Sequence, residues 1–287
     1  MNTLAIDIGG TNFSLAVFED DHLVARHSQA TNRQGGPDWM TARILERGGE
    51  WRKSLGFERC GIGFGGPVIF GEQRIALSTH VGGWSGYPLT AELERELGVP
   101  CVMDNDGNAG ALGEAVYGAG AGCDPLFYVT ISTGIGGGLI CGGQVIRGAD
   151  SYAGEIGHLT VRPGGPECLC GARGCLERMC CGLWIERDYG RTAEEMFRDE
   201  AFVRRYVVDL ALGLKSCIML VNPARIVIGG GISKAGDRLF GPLREELGRQ
   251  ITSWSGARVD VVPAKLGGDS VLYGALALAG QAGPGNA

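Results

Sequence analysis

The chain has no uninterrupted apolar run long enough to cross a bilayer, so an integral helical membrane protein is not expected. It has no run of Lys and Arg, and its formal net charge is -6. Nucleic-acid binders draw much of their affinity from cations on phosphates, so that class of partner loses its source here. The first residues, MNTLAIDIGG, offer neither a basic n-region nor a small-residue cleavage site, and no secretory signal is expected. No Pro- or Ser-rich linker and no low-complexity tract divides the chain. The Gly-x-x-x-x-Gly-Lys-Ser/Thr pattern is also missing, so a P-loop fold is not supported.

What is present fits a globular enzyme. The length of 287 residues suits one large domain or two ordinary ones. Hydrophobic residues at 44% and charged residues at 20% argue against disorder. Glycine is abundant, at 51 residues, and much of it is clustered, which points to sites built from backbone. The ten cysteines, with no secretory signal, are expected in a reducing cytoplasm as thiols or metal ligands.

Thr3–Glu19 reads as strand, Gly9-Gly10 turn, strand, and the alternation continues through LVARHSQA. So short a connection suits antiparallel strands. LTAELERELG reads as a helix with Leu89, Leu93 and Leu97 on one face and Gly98 as its stop. VPCVMD is a strand running into a helix that opens at Asp106 or Asn108. LFYVTISTGIGGGLICGGQVI repeats the strand–turn–strand pattern, an echo that suggests two related halves. A long helix is expected over Phe202–Leu220, then strands in RIVIGGGIS and ARVDVVPA, then a final helix capped by Asp269 or Ser270. The expected division is a smaller N-terminal α/β lobe at 1–118 and a larger one at 119–269, with the last helix, 270–287, a candidate to return to the first.

Three constellations carry chemistry. The first is the pair of glycine turns, whose backbone N–H groups can surround a phosphate with no Cβ in the way. Thr11 and Thr133 add hydroxyls, and Asp7 is placed to hold water around a magnesium ion. Two ordinary glycine hairpins are the plain alternative; IGGGIS as a third cluster favours a nucleotide. GIGFGG fits a dinucleotide-binding pattern, but Pro67 and VIF follow where a helix should open, so it reads as a decoy. The second is MDNDGNAGALGE. A carboxylate where a strand meets a helix N-terminus stays ionised and suits a base. Helix-capping aspartates are commonplace, however, and Asp104 and Asp106 compete for the role.

The third is GHLTVRPGGPECLCGARGCLER. His158, Cys168, Cys170 and Cys175 match the ligand set of a closed tetrahedral zinc site, with glycines that let the chain fold around an ion. Cys180 and Cys181 read as packing thiols. Glu155 lies three residues before His158 and Glu177 two after Cys175. On one helical turn Glu155 and His158 share a face, and carboxylates beside a fixed imidazole suit sugar hydroxyls. Solvated surface charge is the plain reading of both glutamates.

Together DIGGT, GIGFGGPV, DNDGNAGALGE, TISTGIGGGLI, GEIGH, CLCGARGCLE and IVIGGGIS, in this order over nearly the whole chain, resemble the ROK family of repressors, open reading frames and sugar kinases. The resemblance implies an α/β, two-lobed, actin/hexokinase-like (ribonuclease H-like) fold with a structural zinc site, closing on ATP and a sugar. It implies Asp106, after Asn105, as the catalytic base. It implies sugar contacts from Gly66, Asn105, Asp106, Glu155, His158 and Glu177. ATP contacts fall on Asp7, Gly9, Gly10, Thr11, Asn12, Ser132, Thr133, Gly134, Gly136, Gly137 and Gly230, with magnesium accompanying the ATP. Position 12 departs from the family: Asn stands where many relatives carry Lys, which removes a cation from that loop.

The implied activity is an ATP-dependent hexose kinase of glucokinase type, forming a homodimer or homotetramer. N-acetylmannosamine, N-acetylglucosamine and fructose kinases are the alternatives within the class, and the loop Ser78–Trp84 is expected to help choose among them. A non-catalytic sugar sensor and a repressor are the alternatives outside it. A repressor needs an N-terminal helix-turn-helix, for which a first strand at Thr3 leaves no room.

Overall fold

A computed structural model describes residues 1–78 and 81–281. Two units share the chain. One comprises Met1–Val116, Arg147–Ala153 and the segment from Asp269; the other comprises Tyr117–Ile146 and Gly154–Gly268.

The first unit opens with β1 (Asn2–Ile8), β2 (Asn12–Glu19) and β3 (His22–Ala30), joined by tight turns into an antiparallel meander. Helix α1 (Gly36–Ser54) follows, then β4 (Arg59–Phe64), a ribbon of β5 (Val68–Ile69) and β6 (Arg74–Ile75), helix α2 (Leu89–Leu97), β7 (Cys101–Asn105) and helix α3 (Asp106–Val116). The sheet order is β3-β2-β1-β4-β7, with β4 and β7 parallel to β1. One apolar cluster joins Leu4, Ile6, Phe13, Leu15 and Ile62 of the sheet to Met40 and Ile44 of α1 and Leu89 and Leu93 of α2.

Glycines bring a helix close elsewhere. A Cβ at Gly61 would stand 1.9 Å from the Ala275 carbonyl oxygen, and one at Gly63 2.2 Å from Val271. Both partners lie on the final helix, Ser270–Gln281. That helix crosses α3 the same way: Gly274 would meet the Ala109 carbonyl at 1.7 Å and Gly113 that of Ser270 at 2.2 Å. Buried Glu114 accepts the Ser270 hydroxyl at 2.8 Å inside this crossing. Two of the GIGFGG glycines therefore serve helix packing, and β5 rather than a helix follows the motif.

The second unit repeats the sheet. It runs β8 (Leu126–Ile131), β9 (Ile135–Cys141) and β10 (Gln144–Val145), then the cysteine region. Helices α4 (Leu176–Cys180), α5 (Gly182–Tyr189), α6 (Ala193–Met196) and α7 (Glu200–Val221) follow. Last come β11 (Arg225–Gly229), α8 (Asp237–Gln250) and β12 (Asp260–Pro263). Its order, β10-β9-β8-β11-β12, has the same antiparallel meander and the same two parallel strands. The hairpin echo in the sequence thus corresponds to two sheets of one topology. Ser270–Gln281, now α9, belongs to the first unit; residues 282–287 of the expected 270–287 helix lie outside the described residues.

Helix α7 is two residues longer at its start than the periodicity predicts. Asp199 caps it, accepting the N–H groups of Ala201 and Phe202 at 2.8 and 3.4 Å. Strand β12 is shorter than ARVDVVPA suggests. Helices α1 and α8 carry no clear helical signal in the sequence. The first carries two adjacent glycines and buries only a narrow stripe, and the second has Pro242 inside it. Among the described residues no helix is long and apolar enough to cross a membrane.

Candidate active site

The first unit brings Asp7, Gly9, Gly65, Asn105 and Asp106 together at the C-terminal ends of β1, β4 and β7. Parallel strands that end side by side deliver their following loops to one place. Asp7 is the last residue but one of β1, and Asn105 closes β7.

Asn105, not either aspartate, caps α3. Its Oδ1 accepts the N–H groups of Gly107 at 2.8 Å and Asn108 at 3.3 Å, the two donors a cap should satisfy. Its Nδ2 donates to the Gly66 carbonyl at 3.0 Å, which ties the β4–β5 turn to the helix start. Asp106 is thereby released from capping and sits in the first turn, where its Oδ1 accepts the Gly107 N–H at 2.8 Å. Gly65 lies beside it: a Cβ there would be 3.6 Å from its other oxygen, Oδ2, an ordinary contact distance.

Asp104 is a different case. It is 1% exposed and its Oδ2 takes Nε and Nη2 of Arg147, each at 2.8 Å. Its Oδ1 accepts from Asn108 and from the Asn105 N–H at 3.0 and 2.8 Å. Arg147 in turn lies 3.5 Å over the Phe70 ring. Burial raises the Asp104 carboxyl while Arg147 holds it down, and every oxygen is engaged inside the protein. This carboxylate ties the fold.

The Gly9–Thr11 turn is held from outside. Thr31 donates its hydroxyl to the Gly9 carbonyl at 2.9 Å and its N–H to that of Thr11 at 2.9 Å. Arg33 donates Nε to the Gly10 carbonyl at 3.1 Å, which places an exposed guanidinium on this loop. Asn12 brings no cation to this loop, and Arg33 has no sequence signal there because only the fold sets it against Gly10. Asp7 beside the turn has its carboxyl pushed up to about 7, first by burial and next by the charges of Asp106 and Asp269; Arg26 opposes them. Asp7 and Asp106 are thus close enough to repel, an arrangement that a cation relieves.

The second unit gathers the other predicted residues. Ser132, Thr133 and Gly134 form the β8–β9 turn, closed by the Ser132 N–H on the Gly134 carbonyl at 2.9 Å. Gly230, at φ 83°, lies against it: a Cβ there would meet the Ile131 carbonyl oxygen at 2.3 Å. Gly136 and Gly137 continue into β9. Glu155 precedes the 3₁₀ turn Ile156–His158, whose His158 N–H reaches the Glu155 carbonyl at 3.1 Å. Residues three apart eclipse on such a turn. Burial raises the Glu155 carboxyl; His158 lowers it and Glu177 raises it again, so these three side chains share one neighbourhood. Glu177 stands in the first turn of α4 and accepts the Ile135 N–H at 2.9 Å on Oε2, a partner its spacing did not foretell.

One ligand atom each from His158, Cys168, Cys170 and Cys175 lies within 4.8 Å of the others. The Cys170 and Cys175 sulfurs are 3.7 Å apart. A tetrahedral ion with Zn–S bonds of about 2.3 Å sets its sulfurs about 3.8 Å apart, so the donor set and its spacing fit zinc. Backbone turns form the cage. The Cys168 N–H reaches the Ala172 carbonyl at 2.8 Å, and Gly174, at φ 70°, passes so near Arg162 that a Cβ would lie 1.7 Å from its carbonyl oxygen. Arg162 is pinned by Asp209 of α7 through two contacts of 2.7 Å. Cys180 and Cys181 are buried; the Cys180 carbonyl accepts the Tyr206 hydroxyl at 2.8 Å. In the Ser78–Trp84 loop, Thr79 and His80 lie outside the described residues, while Trp84 is buried edge-on against Phe64.

A glucokinase of Thermotoga maritima is 33% identical over 309 aligned residues, covering 97% of this chain and 97% of that protein. An N-acetylmannosamine kinase of Vibrio cholerae is also 33% identical, over 96% of this chain and 98% of its own. The structure of a ROK family glucokinase from Streptomyces griseus, in complex with glucose and AMPPNP, matches with a TM-score of 0.87 at 28% identity, covering 98% of this chain and 100% of that one. The fold is thus of the actin/hexokinase-like kind. The ROK family model matches residues 3–282, and the chain belongs to the ROK family.

Proposed function

We propose that this protein is an ATP-dependent sugar kinase that phosphorylates the primary hydroxyl, O6, of a hexose, with glucose as the leading substrate. The observation that carries the reading is the Asp7–Asp106 pair beside the Gly9–Thr11 turn: two carboxylates near enough to repel at a glycine loop suit Mg·ATP and a hydroxyl nucleophile. Family membership and the glucokinase relatives support it.

In this reading Asp106 accepts the proton of the sugar hydroxyl as its oxygen bonds to the γ-phosphorus. The bond to the β-bridging oxygen breaks and ADP leaves with the electron pair. Such transition states are loose, so positioning and neutralisation of charge do most of the work. Asp7 is assigned to water on the magnesium, and Gly9–Asn12, Ser132–Gly134, Gly136, Gly137 and Gly230 to the nucleotide. Asn105, Glu155, His158, Glu177 and the Gly66 backbone are assigned to the sugar. His158, Cys168, Cys170 and Cys175 are assigned to zinc, whose closed shell supplies rigidity and no reactive water. Arg33 supplies the cation that Asn12 does not. The reading includes a cytoplasmic homodimer or homotetramer with no membrane or nucleic-acid partner.

The N-acetylmannosamine kinase relative, equal to the glucokinase in percent identity, favours a hexosamine as the second reading. ADP release measured over glucose, mannose, fructose, N-acetylglucosamine and N-acetylmannosamine decides between them. Turnover on glucose above all is expected; no turnover on any sugar would turn the reading to a sensor.

A further inference from the structure

We infer that Glu177 is a two-sided strut, joining the sugar-binding segment to the second phosphate loop and thereby setting nucleotide affinity as well as sugar affinity. The inference rests on the kinase reading above and deepens it. Ile135 is the first residue after the Ser132–Gly134 turn, and its N–H donates to Glu177 Oε2 at 2.9 Å. A backbone amide on a carboxylate is among the stronger neutral-to-charged bonds. The carbonyl side of Ile135 is closely packed: a Cβ at Gly157 would come 2.2 Å from its oxygen. Gly137 and Gly154 also meet backbone to backbone, each leaving 2.9 Å or less for an added Cβ.

The turn is gripped from the same segment that carries Glu177. The Gly182 N–H donates to the Ser132 carbonyl at 2.7 Å and the Leu183 N–H to that of Thr133 at 3.3 Å. Helix α4, with Glu177 in its first turn, begins directly after Cys175, and α5, with Gly182 and Leu183, begins two residues after α4 ends. The cysteine knot, the glutamate and the phosphate turn therefore form one braced body. A carboxylate has two oxygens. One is committed to Ile135, and the group as a whole stands near Glu155, on the side assigned to the sugar.

The test titrates Mg·AMPPNP, without sugar, into the zinc-loaded protein by calorimetry, and separately titrates glucose. Glu177→Ala removes both sides of the strut and should weaken AMPPNP by about tenfold or more, the effect of one lost bond to a charged group. Glu177→Gln keeps an acceptor oxygen for Ile135, so AMPPNP affinity should stay within about twofold of the parent on that same basis. Glucose should weaken in both. Hydrogen exchange of the Ile131–Gly138 peptide should quicken in Glu177→Ala alone, at unchanged zinc content. AMPPNP affinity unaltered in Glu177→Ala, or lost equally in Glu177→Gln, overturns the inference, as does unaltered glucose affinity in both. A parent chain that binds no AMPPNP at all instead sinks the kinase reading, and the strut with it.

Discussion

Asp106 and Asp104 are two residues apart with the same side chain, and the structure gives them different surroundings. Asp104 is sealed around Arg147, while Asp106 stands in the first turn of α3 beside Gly65. Asp106→Asn is expected to lower turnover by ~10²–10⁴, the range for a general base, with the fold intact. Turnover near the parent level would move the base elsewhere. Asp7 makes a prediction about pH. Its folded carboxyl sits near 7, above the ordinary value of 3.8, so between those values the unfolded chain has released a proton that the native one keeps. Stability from this group therefore falls as pH rises from about 4 to about 7, then levels. Asp7→Asn, which cannot ionise, should melt higher than the parent at pH 8, with the gap closing towards pH 4. A gap independent of pH would contradict the shift. Arg33→Ala should raise the KM for ATP about tenfold, the scale of one lost charge-assisted contact, while the KM for sugar holds. Arg33→Lys should recover part of it.

At the scale of elements, the local chemistry is uneven in what it announces. The strand–turn–strand segments, α2, α3, α7 and α9 are legible because periodicity and stop signals coincide with burial. Helices α1 and α8 are obscured by glycine pairs, charges and an internal proline that only packing overrides. The His/Cys cluster is legible because its residues are local: three cysteines fall within one short stretch and His158 comes before it. The contacts of Arg33, the capping role of Asn105 and the Glu177–Ile135 bond join residues that lie far apart in sequence or compete locally, so spacing alone is silent on them. Cys170→Ser is expected to lower zinc content, melting temperature and sugar affinity together. Loss of zinc with both other quantities preserved would make the ion incidental. The α3–α9 crossing gives a purely structural expectation. Gly274→Ala forces a methyl into the Ala109 carbonyl and should cost about 1–3 kcal/mol, the usual toll of overpacking, read as a lower denaturation midpoint.

The whole molecule uses one sheet topology twice and furnishes the two copies differently. The first carries the carboxylates and the second carries the cysteine knot and the glutamates of GEIGH and CLE. The glycines at both turns are visible in the sequence, whereas this division of labour emerges only from the strand order. The same strand order has a consequence for synthesis on the ribosome. Helix α9 follows the entire second unit along the chain, yet it covers the glycine face of β4 and crosses α3 in the first. The N-terminal sheet is therefore made first and completed last. While the second unit emerges, Gly61 and Gly63 offer a bare, side-chain-free surface to whatever is near. Nascent chains halted before Ser270 should hold a protease-resistant second unit and a first unit that is cut readily, and they should be the species that chaperones retain.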